Sequence, residues 1–110
     1  MENIKVNYYK EQLEKAKKYD IDWLSLSIAN EVQDYFEVEE ITLNEEEFEN
    51  VCHFIVKRYL NSEYSNISNY VKAMASIIER EKEENANISI DEIIDKTSRW
   101  DLLYLARDYD

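Results

Sequence analysis

Between residues 44 and 61, apolar side chains recur at the three- and four-residue spacing of an α-helix. The recurring positions are Phe48, Val51, Cys52, Ile55 and Tyr59, and the apolar surface is widened beyond one stripe by Phe54, Val56 and Leu60. Asn44 and Glu47 have the spacing of a capping box at the N-terminal end of this helix. Because a helix that is apolar on more than one side is usually covered on both, we expect this segment to be the central helix of the fold.

The same periodicity predicts helices on either side of the central segment. An amphipathic helix is predicted over residues 3–19 and a second helix over residues 20–36, followed by a loop over residues 37–43. After the central helix, a turn-rich stretch precedes a long helix that begins near Ile67. The polar end of that helix, residues 79–85, is expected to project past the core into solvent.

Two short helices are predicted near the C-terminal end. Ser89 and Glu92 form a second capping box, and Thr97 or Ser98 can cap the last helix. The apolar face expected for the last helix consists of Trp100, Leu103, Tyr104 and Ala106. The pattern thus predicts an all-α protein, a compact bundle of five or six helices in a single domain over residues 1–110.

The composition agrees with a helical fold. The chain of 110 residues contains no glycine and no proline, so the tight turns of β-hairpins are hard to build, whereas helices capped by Asn, Ser or Asp are not. No apolar run of about 18 residues is present, and no membrane span is predicted. The lone cysteine, Cys52, lies on the apolar face of the central helix, which indicates a reducing compartment, and we expect the protein to be cytoplasmic.

The formal net charge of −12 is concentrated in the middle of the chain, where residues 19–56 contain eleven acidic and no basic residues. A block of one charge sign repels nucleic acids and membrane surfaces and attracts basic partners. We therefore expect a protein partner with a basic surface, and no direct binding to nucleic acid or membrane. The predicted partner-binding residues are Glu31, Asp34, Glu37, Glu39, Glu40, Glu45, Glu46, Glu47 and Glu49.

Residue types that carry out catalysis or bind cofactors are scarce. His53 is the only histidine, and the adjacent Cys52 points about 100° away around the helix, so the two cannot act together as metal ligands or as a nucleophile and its base. Without glycine, neither a phosphate-binding loop nor a dinucleotide-binding motif can form. We expect a protein that is not an enzyme and that has no metal or cofactor.

The leading functional hypothesis is an inhibitor that mimics nucleic acid. Carboxylates one helical turn apart lie about 5–6 Å from one another, a spacing that suits a row of lysines and arginines that normally holds a phosphate backbone. In small size, acidity and helicity, the chain resembles in general character the phage-encoded anti-CRISPR and anti-restriction proteins. That resemblance implies an inhibitor that blocks the basic groove of a nuclease or another nucleic-acid-binding protein.

Two other interpretations remain open. The chain could be a homodimer or an accessory structural subunit. Its interface would use the apolar residues Trp23, Leu26, Phe54 and Trp100, with Tyr8, Tyr64 and Tyr109 as further candidates. Alternatively, the acidic block is a solvated face without a partner. The dependence of binding on salt separates mimicry from an apolar interface. Binding by a mimic weakens steeply as the ionic strength rises, whereas binding through an apolar interface hardly changes.

Overall fold

The computed structural model describes residues 22–62, 64 and 66–110, with side chains from residue 24 onward. This part of the chain is all-α, as predicted, and contains five helices: α1 Asp22–Val38, α2 Glu45–Leu60, α3 Ile67–Glu84, α4 Ile90–Lys96 and α5 Arg99–Asp108. The helix predicted over residues 3–19 lies outside the described residues. None of the five helices combines the length and the apolar character that crossing a membrane requires.

The predicted caps fix where the helices begin. Asn44 Oδ1 accepts a hydrogen bond from the Glu47 N–H at 2.8 Å, and Glu47 Oε1 accepts one from the Asn44 N–H at 2.9 Å, which confirms the capping box of α2. Ser89 and Glu92 open α4 in the same way, and Ser98 caps α5 through the N–H of Asp101. Each cap occupies backbone N–H groups that have no partner within the helix, so local sequence determines these boundaries.

The core is formed mainly by α2 and α3. The predicted apolar face of α2 is buried, and α2 packs against α1, α3 and α4. Helix α3 shares the central place, because it packs against all four of the other described helices. Ala73 and Ala75 on α3 are completely buried. Their small side chains let neighbouring helices approach α3 closely.

Most of the polar end of α3, residues 79–85, is exposed as predicted, but two of its side chains contact the segment that follows. Glu81 is only 9% exposed, and its Oε1 accepts a hydrogen bond from Lys96 Nζ at 2.6 Å. Lys82 Nζ donates to the Ile88 carbonyl oxygen at 2.8 Å. Helix α4 packs beside these residues. Their hydropathy alone does not predict this contact.

The buried face of α5 matches the predicted one only in part: Ala106 is buried as predicted, but Leu102 is buried in place of Trp100 and Tyr104. Leu102 and Ala106 are completely buried, whereas Trp100 is 51% and Tyr104 is 59% exposed. Residues that are two positions apart in a helix point about 200° away from each other. The pair Leu102 and Ala106 therefore lies on nearly the opposite face of α5 from the pair Trp100 and Tyr104. The spacing fits either face, and packing against α3 selects the one with the smaller side chains.

Candidate functional site

The nine predicted partner-binding acids lie on α1, on the loop that follows it and on the first turns of α2, and every one is at least partly exposed. In the described part of the chain, no lysine or arginine forms an ion pair with any of them. Glu49 lies 3.7 Å from His53 Nε2. Glu45, Glu46 and Glu47 occupy the positive N-terminal end of the α2 dipole, which stabilises their charges. Within the described residues, the α2 dipole rather than a lysine or arginine offsets part of the repulsion among these acids.

Two acids that the sequence reasoning missed join this surface. A groove of about 420 Å³ is lined by the loop after α1, the start of α2 and the last turns of α3. Glu39, Glu40 and Glu47 line it from one side, and Glu79 and Glu83 line it from α3, with Lys82 between them. The four-residue spacing of Glu79 and Glu83 places both on one face of α3, a signal already present in the sequence.

Glu39 and Glu79 come close enough to share a hydrogen bond between their carboxyl groups. Partial burial, the charge of Glu39, this hydrogen bond and the charge of Glu83 together raise the pKa of Glu79. Acids that are distant in the sequence are thus crowded at one edge of the groove.

Glu40 is held in a backbone conformation that favours glycine. Its φ is 60°, the only positive φ among the described residues. The Ile41 N–H donates to the Phe36 carbonyl oxygen at 2.8 Å and the Glu40 N–H to that of Glu37 at 3.1 Å, which is the Schellman motif that ends α1. An exposed carboxylate therefore occupies a strained, well-defined position at the rim of the groove.

The candidate apolar residues do not share one environment. Phe54 is 7% exposed and belongs to the core, with the Arg58 guanidinium 5.1 Å from its ring centre, so the prediction that it is available to a partner is wrong. The reason is that α2 is covered on more than one side. Leu26 is half-buried against the core, and the side chain of Trp23 lies outside the described part of the chain. Trp100 is exposed and stacks on Tyr104, with ring centres 6.2 Å apart.

Two of the three candidate tyrosines are used to hold α5 in place. The Tyr64 hydroxyl donates to Asp110 Oδ1 at 2.6 Å and accepts from Asn69 Nδ2 at 2.8 Å. Burial, with the hydrogen bond to Asp110, raises the pKa of Tyr64. The Tyr109 hydroxyl forms a hydrogen bond with Ser76 Oγ of α3. These hydroxyl groups serve the fold, and Tyr8 lies outside the described residues.

The residues with catalytic or metal-binding chemistry do not converge. Cys52 is completely buried, and burial raises the pKa of its thiol, whereas the neighbouring His53 is exposed. Among the described residues, no group of three or more His, Cys, Asp and Glu could hold a metal ion. Comparison of the chain with protein-family models, curated proteins and solved structures finds no match. Arguments about function therefore rest on the geometry of the acidic surface.

Proposed function

We propose that the protein is a non-catalytic inhibitor whose acidic surface occupies the basic, nucleic-acid-binding groove of a protein partner. Its carboxylates would take the place of phosphates, as in the anti-CRISPR and anti-restriction proteins of phages. The observation that carries the proposal is the groove lined by Glu39, Glu40 and Glu47 on one side and by Glu79 and Glu83 of α3 on the other. It brings acids from α3 to the surface already formed by α1 and α2.

The electrostatics of this surface favour a basic partner. Like charges at short range destabilise one another, and a row of lysines and arginines would relieve this repulsion on binding. Among the described residues no lysine or arginine pairs with the predicted acids, so no such ion pair within this part of the chain has to break first. The charge block would also speed encounter with a basic groove through long-range attraction.

The test compares two variants that each remove three negative charges. The groove variant carries Glu40→Gln in the groove lining with Glu45→Gln and Glu46→Gln on the acidic surface beside it, and it spares Glu47 because that residue caps α2. The control variant carries Glu84→Gln, Asp95→Asn and Asp108→Asn, all exposed and outside both the groove lining and the predicted partner-binding residues. Partner proteins are captured from host lysate at low and at high salt, and each retained protein is challenged with DNA.

The expected partner is a nucleic-acid-binding protein that DNA displaces and that salt releases. The groove variant should lose at least about tenfold in affinity for it, equivalent to about 1.4 kcal/mol, while the control variant binds as the original chain does. Equal binding by the two variants, or a partner that neither salt nor DNA affects, would contradict mimicry.

A second candidate function is self-association through an apolar face. It is favoured by the exposed stack of Trp100 and Tyr104, because large aromatic side chains are enriched at protein interfaces. Analytical ultracentrifugation at low and high salt tests this: a homodimer would persist in high salt and dissociate in Tyr104→Lys. A monomer at every salt concentration would exclude it.

A further inference from the structure

A second cavity, of about 640 Å³, lies at the other end of α2, between that end, the segment after it and α5. Its lining includes Arg58, Arg99 and Arg107, and no lysine. The chain contains only four arginines, so three of them meet at one cavity in a protein whose net charge is −12. Arginine is the residue best suited to planar, bidentate recognition of oxyanions.

None of these three arginines has an ion-pair partner within the described part of the chain. By contrast, the fourth arginine, Arg80, lies 3.9 Å from Glu81. Arg58 Nε is buried without a hydrogen-bond partner. The guanidinium groups are therefore available to a ligand, and for Arg58 a ligand would supply a hydrogen bond that the free protein lacks.

The hydroxyl group of Tyr70 is the second unpartnered polar group at this cavity. Tyr70 is 1% exposed, and its hydroxyl group is buried without a hydrogen-bond partner. Buried polar groups are nearly always hydrogen-bonded, since an unsatisfied one destabilises the fold. A ligand oxygen in the cavity would accept a hydrogen bond from this hydroxyl group. No described residue of the protein forms a hydrogen bond with it.

The rest of the lining offers aromatic surface and little negative charge. Trp100 is half exposed, with the Arg99 guanidinium 4.7 Å from its ring centre. Among the described residues of the lining, the one carboxylate is that of Asp110, which already accepts hydrogen bonds from Tyr64 and Asn69. The cavity therefore combines net positive charge with a flat indole surface on which a planar ring can stack.

We propose that this cavity binds a small molecule that carries a phosphate group next to a planar ring, of the size of a mononucleotide. The guanidinium groups and the Tyr70 hydroxyl would hold the phosphate, and the planar ring would replace the Arg99 guanidinium over Trp100 as Arg99 turns to the phosphate. The cavity volume lies within the roughly 300–1,000 Å³ usual for small-molecule sites. The acids of the mimicry proposal do not line this cavity, so the inference does not depend on that proposal.

Isothermal titration calorimetry of the full chain tests the ligand class. AMP is compared with adenosine, which lacks the phosphate, and with inorganic phosphate, which lacks the ring; GMP, CMP and UMP test other rings. At least one mononucleotide should bind about tenfold more tightly than phosphate or a nucleoside alone. No binding by any mononucleotide, or binding no tighter than that of phosphate, would overturn the proposal. An oligonucleotide with a terminal phosphate that binds about tenfold tighter than AMP would overturn the small-molecule assignment.

Variants then test the named contacts. Arg107→Ala should weaken nucleotide binding about tenfold or more, and Arg107→Lys should bind less tightly than the original chain because it loses the bidentate fork. Tyr70→Phe should weaken binding about threefold to tenfold without lowering the melting temperature, since its hydroxyl group has no partner in the free protein. Arg80→Ala is the matched control and should bind normally. Unchanged binding by both Arg107→Ala and Tyr70→Phe, or a loss with Arg80→Ala, would overturn the site.

Discussion

Replacing Glu40 with glycine is expected to stabilise the fold. Glu40 has a φ of 60° and closes the Schellman motif at the end of α1. A side chain with a Cβ atom disfavours this left-handed conformation by about 1–2 kcal/mol per residue, and glycine does not. The substitution therefore removes strain without altering the hydrogen bonds of the motif.

The net gain is smaller than the strain, because glycine also loses more backbone freedom on folding, about 0.5–1 kcal/mol. We expect Glu40→Gly to raise the free energy of unfolding by about 0.5–1 kcal/mol, or the melting temperature by roughly 2–6 °C in a chain of this length. Glu40→Ala is the matched control: it removes the same charge from the groove and keeps the Cβ atom.

Urea titration followed by circular dichroism measures the difference. If backbone strain is the cause, Glu40→Gly has a higher midpoint than Glu40→Ala, with the same dependence on urea. If charge crowding alone matters, the two variants are equally stable, and the reasoning from φ is wrong. Under mimicry, both variants should bind the basic partner more weakly than the original chain does, including the more stable one.

Three further predictions concern the core and the groove. Ile55→Ala, at a completely buried position of α2, should lower the free energy of unfolding by about 2–5 kcal/mol in thermal or urea denaturation. Native Cys52 should resist alkylation by a maleimide and react fully once urea unfolds the chain, since burial excludes the reagent and raises the pKa of the thiol. Glu79→Gln should stabilise the fold at neutral pH, by an amount near the ~0.2–1 kcal/mol typical of exposed charge pairs. The raised pKa means that ionised Glu79 destabilises the folded state, so the gain should shrink as the pH falls through the raised pKa of the folded state and vanish below the ordinary value of 4.5. A gain that stays constant with pH would refute this explanation.

The sequence predicted the parts of the fold that local chemistry determines. The caps at Asn44, Ser89 and Ser98 and the periodicity of α2 and α3 depend on residues within a few positions of one another, and the structure confirms them. The exposed side of α5 was not predicted, because two apolar faces compete there and packing against α3 decides between them.

The two candidate sites differ in how much of them the sequence could reveal. The acidic block is contiguous along the chain, so its residues were found without the structure. Glu79 and Glu83 were not assigned to it, because only the packing of α3 brings them to the groove. The arginine cavity was missed entirely: its members come from α2 and α5, and each one alone is an ordinary surface arginine.

The acidic groove and the arginine cavity lie at opposite ends of α2. The acids are at the positive N-terminal end of the helix dipole and Arg58 is at the negative C-terminal end, so both charges are favourably placed. From Glu45 to Arg58 the helix rises about 20 Å. In water each groove charge changes the energy of an anion at that distance by about 0.2 kcal/mol, so three charges amount to roughly a threefold effect on affinity at low ionic strength. Physiological salt, with a screening length of about 8 Å, suppresses most of this interaction.

The groove variant Glu40→Gln, Glu45→Gln and Glu46→Gln should therefore bind AMP more tightly only in low salt, by up to about threefold, and normally at physiological salt. Calorimetry at the two ionic strengths measures this. A large change that persists at physiological salt cannot come from screened charges over this distance. Such a change would mean instead that the substitutions alter the packing of α2. A rigid helix can transmit a change in packing from the groove to the cavity, whereas the screened electric field cannot.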